Sequence, residues 1–269
     1  MIRPTLAVLL IAGCSAPAAP LPSSSEDMAM MAQSDLGPDG VMDLEGRIIG
    51  LDRAGLAGVT VSLCLSTCRD TTTGSKGEFA FPATPIDFYT LRARMPGATD
   101  FADLDFPLYL VRGSNPRLLP LVLPKVGAPN TVMAGTQTFP VDSALSLTLD
   151  GSALARRGGG AVTKLAGVRV PSDLFPNFCV PSARVLAMWS FAPTYVTSSS
   201  RIGVQLTDAG LGLAPGALVN FIDINPEDGR PAVVASATVE QDGKTIKTAM
   251  GDGLNRLGWL LVAVISGGP

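Results

Sequence analysis

Val59-Thr-Val-Ser-Leu63 is the stretch that decides the fold. Apolar and polar side chains alternate in it with a period of two, and two of the three apolar residues are β-branched valines. This pattern is typical of a β-strand with one face in a core and the other in water. The same alternation occurs before it, over residues 44–48, and after it, at Phe79 and Phe81. The sequence therefore predicts a sheet built around this strand.

Short turns separate the neighbouring strands. Residues 52–55 and 74–77 are rich in turn-forming residues, and Gly77 supplies the permissive backbone that a tight turn needs. We predict further strands at 71–73, at 88–94 and, as one or two short pieces, within 109–123. Several strands at this spacing indicate a small antiparallel sandwich, with Phe79 and Phe81 in its core.

Four motifs follow one another in this region: Gly46, Leu56-Ala-Gly-Val-Thr-Val61, Thr71-Thr-Thr-Gly-Ser-Lys-Gly-Glu-Phe-Ala-Phe81 and Tyr89-Thr-Leu91. Together they resemble the carboxypeptidase regulatory-like domain over residues 42–125. The resemblance implies a transthyretin-like sandwich of about seven strands and a non-catalytic, accessory role. The chain departs from the family at Gly74, where an Asp is common.

Cys64 and Cys68 stand at the end of one predicted strand and the start of the next. A three-residue loop between antiparallel strands brings two Cβ atoms within disulfide range, and such a pair oxidises outside the cytosol. We therefore predict a structural Cys64–Cys68 disulfide, which contributes at or below about 2–4 kcal/mol because its loop is short. A redox-active role is disfavoured, because the spacing is one residue longer than Cys-x-x-Cys.

A second β region follows a predicted linker at 126–137, where Gly, Pro and Asn residues interrupt the pattern. We predict strands at 143–149, from Val168, at 184–191, 201–206, 218–224, 232–241 and 257–265. Asp242-Gly243 predicts the turn of a hairpin over 234–249. The fold class is thus all-β, with two small antiparallel β-sandwich domains at 42–125 and 138–269.

The second region also carries an ordered series of motifs: Trp189-Ser-Phe-Ala-Pro193, Leu213-Ala-Pro-Gly216, Asp242-Gly-Lys-Thr-Ile246, Gly251-Asp-Gly253 and Gly258-Trp259. The series resembles a β-sandwich module of large bacterial surface proteins and is loosely similar to the ZU5 domain. Some ZU5 domains cleave themselves at a His-Phe-Ser site, and this chain contains no histidine. We expect both tryptophans to be core residues rather than a platform for stacking sugars.

Composition excludes several kinds of chemistry. The absence of histidine from the 269 residues rules out Ser-His-Asp and Cys-His catalysis and disfavours zinc and copper sites. The net charge is −3 and no Lys/Arg run is present, so nucleic acid is not an expected partner. We expect no metal, no cofactor and no catalytic residue. Cys179, next to Phe178 and Val180, is predicted to be a buried apolar residue.

The first 14 residues form a targeting signal. An apolar run begins at Leu6, behind Arg3, and ends in Leu10-Ile-Ala-Gly-Cys14, which is too short to span a bilayer. The pattern resembles the lipobox of bacterial lipoproteins. The resemblance implies that residues 1–13 are removed as a signal peptide. It also implies that Cys14 carries diacylglycerol and an amide-linked acyl chain such as palmitate. Because Ser15 follows the cysteine, the resemblance implies that the protein is located at the outer membrane. Residues 14–41 are predicted to form a flexible tether.

Three functions remain open. The first is a non-catalytic, lipid-anchored scaffold or adhesion protein, held to the membrane through Cys14, that contacts another envelope protein or a polysaccharide. The second is a carboxylate-based glycan-processing enzyme that uses a pair such as Asp103 and Asp105, or Glu227 and Asp228. We expect these acids in solvated turns, where their pKa values stay ordinary, which disfavours the enzyme. The third is a periplasmic carrier of a small apolar ligand, disfavoured because small sandwiches fill their own interior.

Overall fold

The structure is a computed structural model that describes residues 40–110, 118–157, 159–176, 178, 180, 183–225 and 229–265. Over these residues the chain is built of strands with two short 3-10 helices, Gly151–Ala153 and Ser172–Leu174. The predicted all-β fold class, with several antiparallel sheets, is confirmed. The predictions for Cys14, the tether up to residue 39, Cys179, Glu227 and Asp228 lie outside the described residues. No described helix is long and apolar enough to cross a bilayer.

Seven strands form the first half of the molecule. They are β1 (Val41–Ile49), β2 (Thr60–Cys64), β3 (Cys68–Thr72), β4 (Glu78–Pro85), β5 (Phe88–Arg94), β6 (Leu104–Tyr109) and β7 (Leu121–Val122). One sheet has the order β4-β1-β7 and the other the order β3-β2-β5-β6. All pairs are antiparallel except β1 with β7. The alternating apolar residues of β2 point into the core between the sheets, as predicted.

Two glycines allow the first half to pack as it does. Gly46 on β1 lies opposite Phe79 on β4, and a Cβ at Gly46 would lie 2.3 Å from the tip of that ring. Gly77 has a φ of +80° in the turn before β4, and a Cβ there would lie 2.1 Å from the carbonyl oxygen of Ile48. Phe79 and Phe81 are buried, so the predicted roles of Gly77 and the two phenylalanines are confirmed.

Twelve further strands form the second half. They are β8 (Asn130–Thr131), β9 (Thr136–Pro140), β10 (Leu145–Asp150), β11 (Leu154–Arg156), β12 (Lys164–Arg169), β13 (Ala183–Ala192), β14 (Val196–Thr207), β15 (Leu218–Ile224), β16 (Pro231–Thr238), β17 (Thr245–Lys247), β18 (Leu254–Leu257) and β19 (Trp259–Ile265). One sheet has the order β11-β14-β10-β9, with β17 and β18 also on β14, and the other the order β16-β15-β19-β13-β12-β8.

The β16-β15-β19-β13-β12-β8 sheet is covered on both faces. Along β19, Trp259, Leu261 and Ala263 pack into the core of the first half, whereas Leu260 and Val262 pack into the core of the second half. A strand buried on both faces needs a continuous apolar run, and Trp259–Ile265 is one. The two halves therefore share a core, and this sheet is the middle layer of the molecule.

The segment between the predicted domains is also packed. Val126 and Val132 are buried, and β8, which lies between them, pairs with β12. The limits at 42–125, 126–137 and 138–269 stay predictions.

Two local predictions were confirmed only in part. The Asp242-Gly243 turn of the hairpin expected over 234–249 is present, because the Gly243 N–H donates to the Glu240 carbonyl and the Glu240 N–H to the Thr245 carbonyl. The longer ladder is not formed, since β16 and β17 belong to different sheets and only the Val239–Ile246 bridge extends the pairing. β17 pairs instead with β14. Of the one or two short strands expected within 109–123, β7 is present, whereas β6, which runs over Leu104–Tyr109, was not predicted. This second difference places Asp105 inside a strand rather than in a turn.

Candidate functional site

The predicted Cys64–Cys68 disulfide is confirmed, with an S–S distance of 2.06 Å. Both cysteines occupy opposite positions at the end of the β2–β3 ladder. The N–H of Leu65 donates to the carbonyl of Thr67 at 3.0 Å inside the three-residue tip. The bond therefore closes the tip of this hairpin.

A ladder of charged residues crosses strands β5 and β6. Arg92 lies directly opposite Asp105, and its Nε is 2.9 Å from Oδ1 of that carboxylate. One step along, Nε of Arg94 is 3.2 Å from Oδ2 of Asp103. Because alternate residues of β5 and β6 face opposite sides of the sheet, and Leu91 and Leu104 enter the core, all four charged side chains point to the outer face.

The second half covers this outer face. The indole Nε1–H of Trp259 donates to the Asp103 carbonyl at 2.8 Å, and the Asp103 N–H donates to Oγ1 of Thr194 at 2.7 Å. Gly229 lies so close to β6 that a Cβ on it would be 2.7 Å from the Pro107 nitrogen. As a result Asp105 is only 2% exposed, although it lies on the outer side of its own sheet.

Burial changes the acidity of both aspartates. It raises the pKa of Asp105 to about 7; Arg92 and, more weakly, Arg94 and Arg157 oppose the shift, while the negative charge of Asp103 adds to it. Burial also raises the pKa of Asp103, against the opposing charge of Arg94. The Arg92–Asp105 contact is an ion pair without an aligned hydrogen bond, which explains why desolvation outweighs the attraction. The expectation of solvated turns with ordinary pKa values is therefore wrong for these two acids.

Tyr195 lies beside the ladder, and two arginines lie close to its ring. The guanidinium carbons of Arg94 and Arg157 lie 5.9 Å and 5.5 Å from its ring centroid, within cation–π range. Tyr195 is buried, has a φ of +65°, and its hydroxyl has no hydrogen-bond partner among the described residues. We call the set of Arg92, Arg94, Asp103, Asp105, Arg157 and Tyr195 the junction cluster.

A second buried acid was not predicted from the sequence. Asp223 lies in β15, is 3% exposed and forms an ion pair with Arg256 of β18. Burial raises its pKa to about 6, and the charge of Arg256 together with hydrogen bonds from that side chain and the Ile224 backbone limits the shift. An acid inside the apolar strand Leu218–Ile224 was the available signal, because such a residue needs a partner when both faces of its strand are covered.

Both tryptophans are core residues, as predicted. Trp189 is 0% exposed and Trp259 is 2% exposed. Their N–H groups are used internally, since Trp189 donates to Oδ2 of Asp142 at 2.7 Å and Trp259 to the Asp103 carbonyl. Neither ring offers a face for sugar stacking.

The arrangement of the junction cluster suits structural pairing better than chemistry on a substrate. Each of its two acids is paired with an arginine, and Asp105 is covered by the second half of the chain whereas the Asp103 side chain is 28% exposed. Among the described residues, no group of three or more Cys, Asp or Glu side chains lies close enough to hold a metal ion.

Two depressions lie elsewhere on the molecule. One, of about 240 Å³, is lined by residues that include Asp208, Leu211 and Lys244, and the other, of about 230 Å³, by apolar residues that include Val185 and Met188. Both are smaller than the roughly 300–1,000 Å³ of pockets that enclose a whole small molecule.

Comparisons with known proteins leave the family open. No family model matches the chain, and no curated protein matches it. Solved structures with some similarity include the Bacillus anthracis TIE protein, at 12% identity, covering 77% of this chain and 43% of that one, with a TM-score of 0.29. The Streptococcal ancillary pilin gives 13% identity, 87% and 60% coverage and a TM-score of 0.28. A putative carbohydrate binding protein from Bacteroides uniformis is 11% identical, with 86% of this chain and 92% of that one covered and a TM-score of 0.23.

These similarities have a limited meaning. The chain spans less than two thirds of the TIE protein and of the pilin. TM-scores of this size carry no argument about function. The resemblances to the lipobox, to the carboxypeptidase regulatory-like domain and to the ZU5 domain therefore stay predictions.

Proposed function

We propose that this chain is a non-catalytic protein of the bacterial outer membrane, anchored by lipid on Cys14, that binds another envelope protein or a polysaccharide. The single observation that carries the proposal is that the buried acids are paired with arginines inside the molecule. Asp105 and Asp223 are both nearly inaccessible, and each is paired with an arginine of another strand. Such acids are engaged inside the molecule and have no free face for a substrate.

The shared core supports the same function. Residues of the first half and of the middle sheet pack into one apolar cluster, so the two halves form one body with fixed relative positions. A rigid body on a tether is suited to binding a partner that is held in the same envelope, because tethering raises the effective concentration and allows a weak interface to suffice.

One exposed feature is a candidate contact for that partner. Asp208 and Lys244 form an exposed ion pair, with 3.3 Å between Nζ and Oδ2, on the rim of the 240 Å³ depression. Gly210, Gly212 and the buried Val239 also line it. Two charged groups therefore lie beside apolar lining residues such as Leu211 and Val239, which is the usual composition of a recognition site.

Crosslinking in intact envelopes tests the proposal. We expect a discrete crosslinked partner for the full chain that is lost when Asp208→Asn and Lys244→Gln are combined. The matched control combines Asp252→Asn with Lys247→Gln, which removes the same charges from exposed positions that do not line the depression. Protease treatment and periodate oxidation of the adduct distinguish a protein partner from a polysaccharide. Absence of any adduct with the full chain would contradict a binding function.

A carboxylate-based glycan-processing enzyme is the second candidate, and one observation favours it. A carboxyl group with a pKa of about 7 is suited to act as a general acid near neutral pH. Asp103 and Asp105 also lie on one side of their strand, two residues apart. However, a sugar would have to reach Asp105 through the cover formed by the second half, so the pairing role is preferred.

A further inference from the structure

Three exposed apolar residues lie near one end of the first half. Leu65 is 55% exposed, Tyr109 is 54% exposed and Val41 is 45% exposed. Isolated exposed apolar residues are ordinary on protein surfaces, but a group at one end of a sandwich indicates a contact surface.

Strand pairing places all three at the same end. Leu65 follows Cys64, which pairs with Thr90 near the start of β5, and Tyr109 pairs with Phe88, the first residue of β5. Val41 pairs with Pro85, the last residue of β4, from which a two-residue turn leads to β5. The Tyr109 and Phe88 rings also touch, with centroids 4.5 Å apart.

The disulfide makes the tip that carries Leu65 rigid. β2 and β3 already pair over five positions, and closing so short a loop adds little to overall stability. The bond instead holds the three residues between Cys64 and Cys68 in one conformation. A preorganised apolar tip loses less conformational entropy when it is inserted into a contact.

The chain enters the described structure at this same end. Gly40 precedes β1, and its carbonyl accepts a hydrogen bond from the N–H of Ile86 in the β4–β5 turn at 3.2 Å. The 25 residues between Cys14 and Gly40 therefore lead into the end that carries Leu65, Tyr109 and Val41. A lipid on Cys14 would hold this end, rather than the opposite one, near the bilayer.

We propose that this end of the first half rests on the lipid surface, with Leu65 and Tyr109 inserted at the level of the headgroups. The inference depends on the lipid anchor proposed above. A leucine on a rigid tip supplies apolar contact, and an exposed tyrosine has the amphipathic ring that suits a membrane interface. Each contact is weak alone, and the tether makes the pair effective by keeping it at the surface.

Brominated lipids test this placement. The full mature chain, with a hexahistidine tag in place of the lipid, is bound to vesicles of phosphatidylethanolamine, phosphatidylglycerol and a nickel-chelating lipid. Leu65→Trp adds a fluorophore at the tip, and we expect lipids brominated along their acyl chains to quench most of its emission. Trp189 and Trp259 give a constant background because both are buried.

Leu119→Trp is the matched control, since Leu119 is 82% exposed and follows Leu118, which bonds to Glu45 in the middle of β1. We expect no quenching there, and quenching of Tyr109→Trp comparable with that of Leu65→Trp. Equal quenching at positions 65 and 119, or no quenching at position 65, would overturn the proposal. No quenching at position 65 together with a protein crosslink at that position would assign the tip to a protein partner. The vesicles tether the chain by its tag, so this outcome is independent of whether Cys14 carries lipid.

Discussion

Replacing Asp105 by asparagine tests the physical account of the junction cluster. The pKa of this acid is about 7 in the folded chain and 3.8 in an exposed aspartate. Between these pH values the folded state binds more protons than the unfolded state, so the free energy of unfolding falls as the pH rises. One pKa unit corresponds to about 1.4 kcal/mol, so ionising Asp105 lowers stability by roughly 4 kcal/mol at most between pH 4 and pH 8.

Asp105→Asn removes this ionisation while keeping the size of the side chain and an oxygen that faces Arg92. We expect the variant to lose less stability than the wild type between pH 5 and pH 8, and to equal or exceed it at pH 8. Urea unfolding followed by the fluorescence of the two buried tryptophans measures both. Asp103 and Asp223 add to the slope of both proteins, so the difference between the two slopes isolates Asp105.

Asp252→Asn is the control, because it removes an exposed acid outside the cluster. A wild type that becomes more stable from pH 5 to pH 8, together with a loss of several kcal/mol in Asp105→Asn at pH 8, would contradict the destabilising role of the ionised Asp105. That outcome would mean that the ion pair with Arg92 outweighs the cost of burying the charge.

Three further predictions follow from other parts of the chain. Cys14→Ser leaves uncleaved precursor at the inner membrane, whereas the wild type gains the mass of its acyl groups; a soluble wild-type product cut elsewhere contradicts this. Peptide mapping without reduction shows Cys64 linked to Cys68 and Cys179 alkylated, and a link to Cys179 would contradict this pairing. Replacing the linked pair by serine lowers the free energy of unfolding in urea by about 2 kcal/mol or less. A much larger loss would contradict the small contribution expected from so short a loop. Gly46→Val lowers the melting temperature by several degrees because its side chain enters the space of a buried ring, and an unchanged melting temperature argues against this packing.

Local patterns predict the strands of this chain well. The segments expected at 88–94 and 218–224 coincide with β5 and β15, because alternation or a predominance of apolar residues identifies a strand by itself. β6 was not predicted, because the acid and the proline inside Leu104–Tyr109 are residues typical of a turn. The disulfide was predictable because it depends on two neighbouring strands alone.

The junction cluster was not predictable in the same way. Asp105 is buried by contacts from Thr194, Gly229 and Trp259, which are about 90 or more positions away along the chain. The uninterrupted run Trp259–Ile265 was the visible sign that a sheet is covered on both faces, but it does not name the covering partner. Long-range packing, rather than local propensity, decides which acids lose contact with water.

The most direct test of the central claim replaces the candidate carboxylates in a deletion strain. Asp103→Asn, Asp105→Asn, Glu227→Gln and Asp228→Asn are combined, and growth, folding and partner crosslinking are compared with the restored wild type. If the chain binds and does not catalyse, the combined variant restores the wild-type phenotype and still crosslinks its partner. If it reproduces the deletion while its folding and crosslinking remain intact, these carboxylates perform chemistry and the chain is an enzyme.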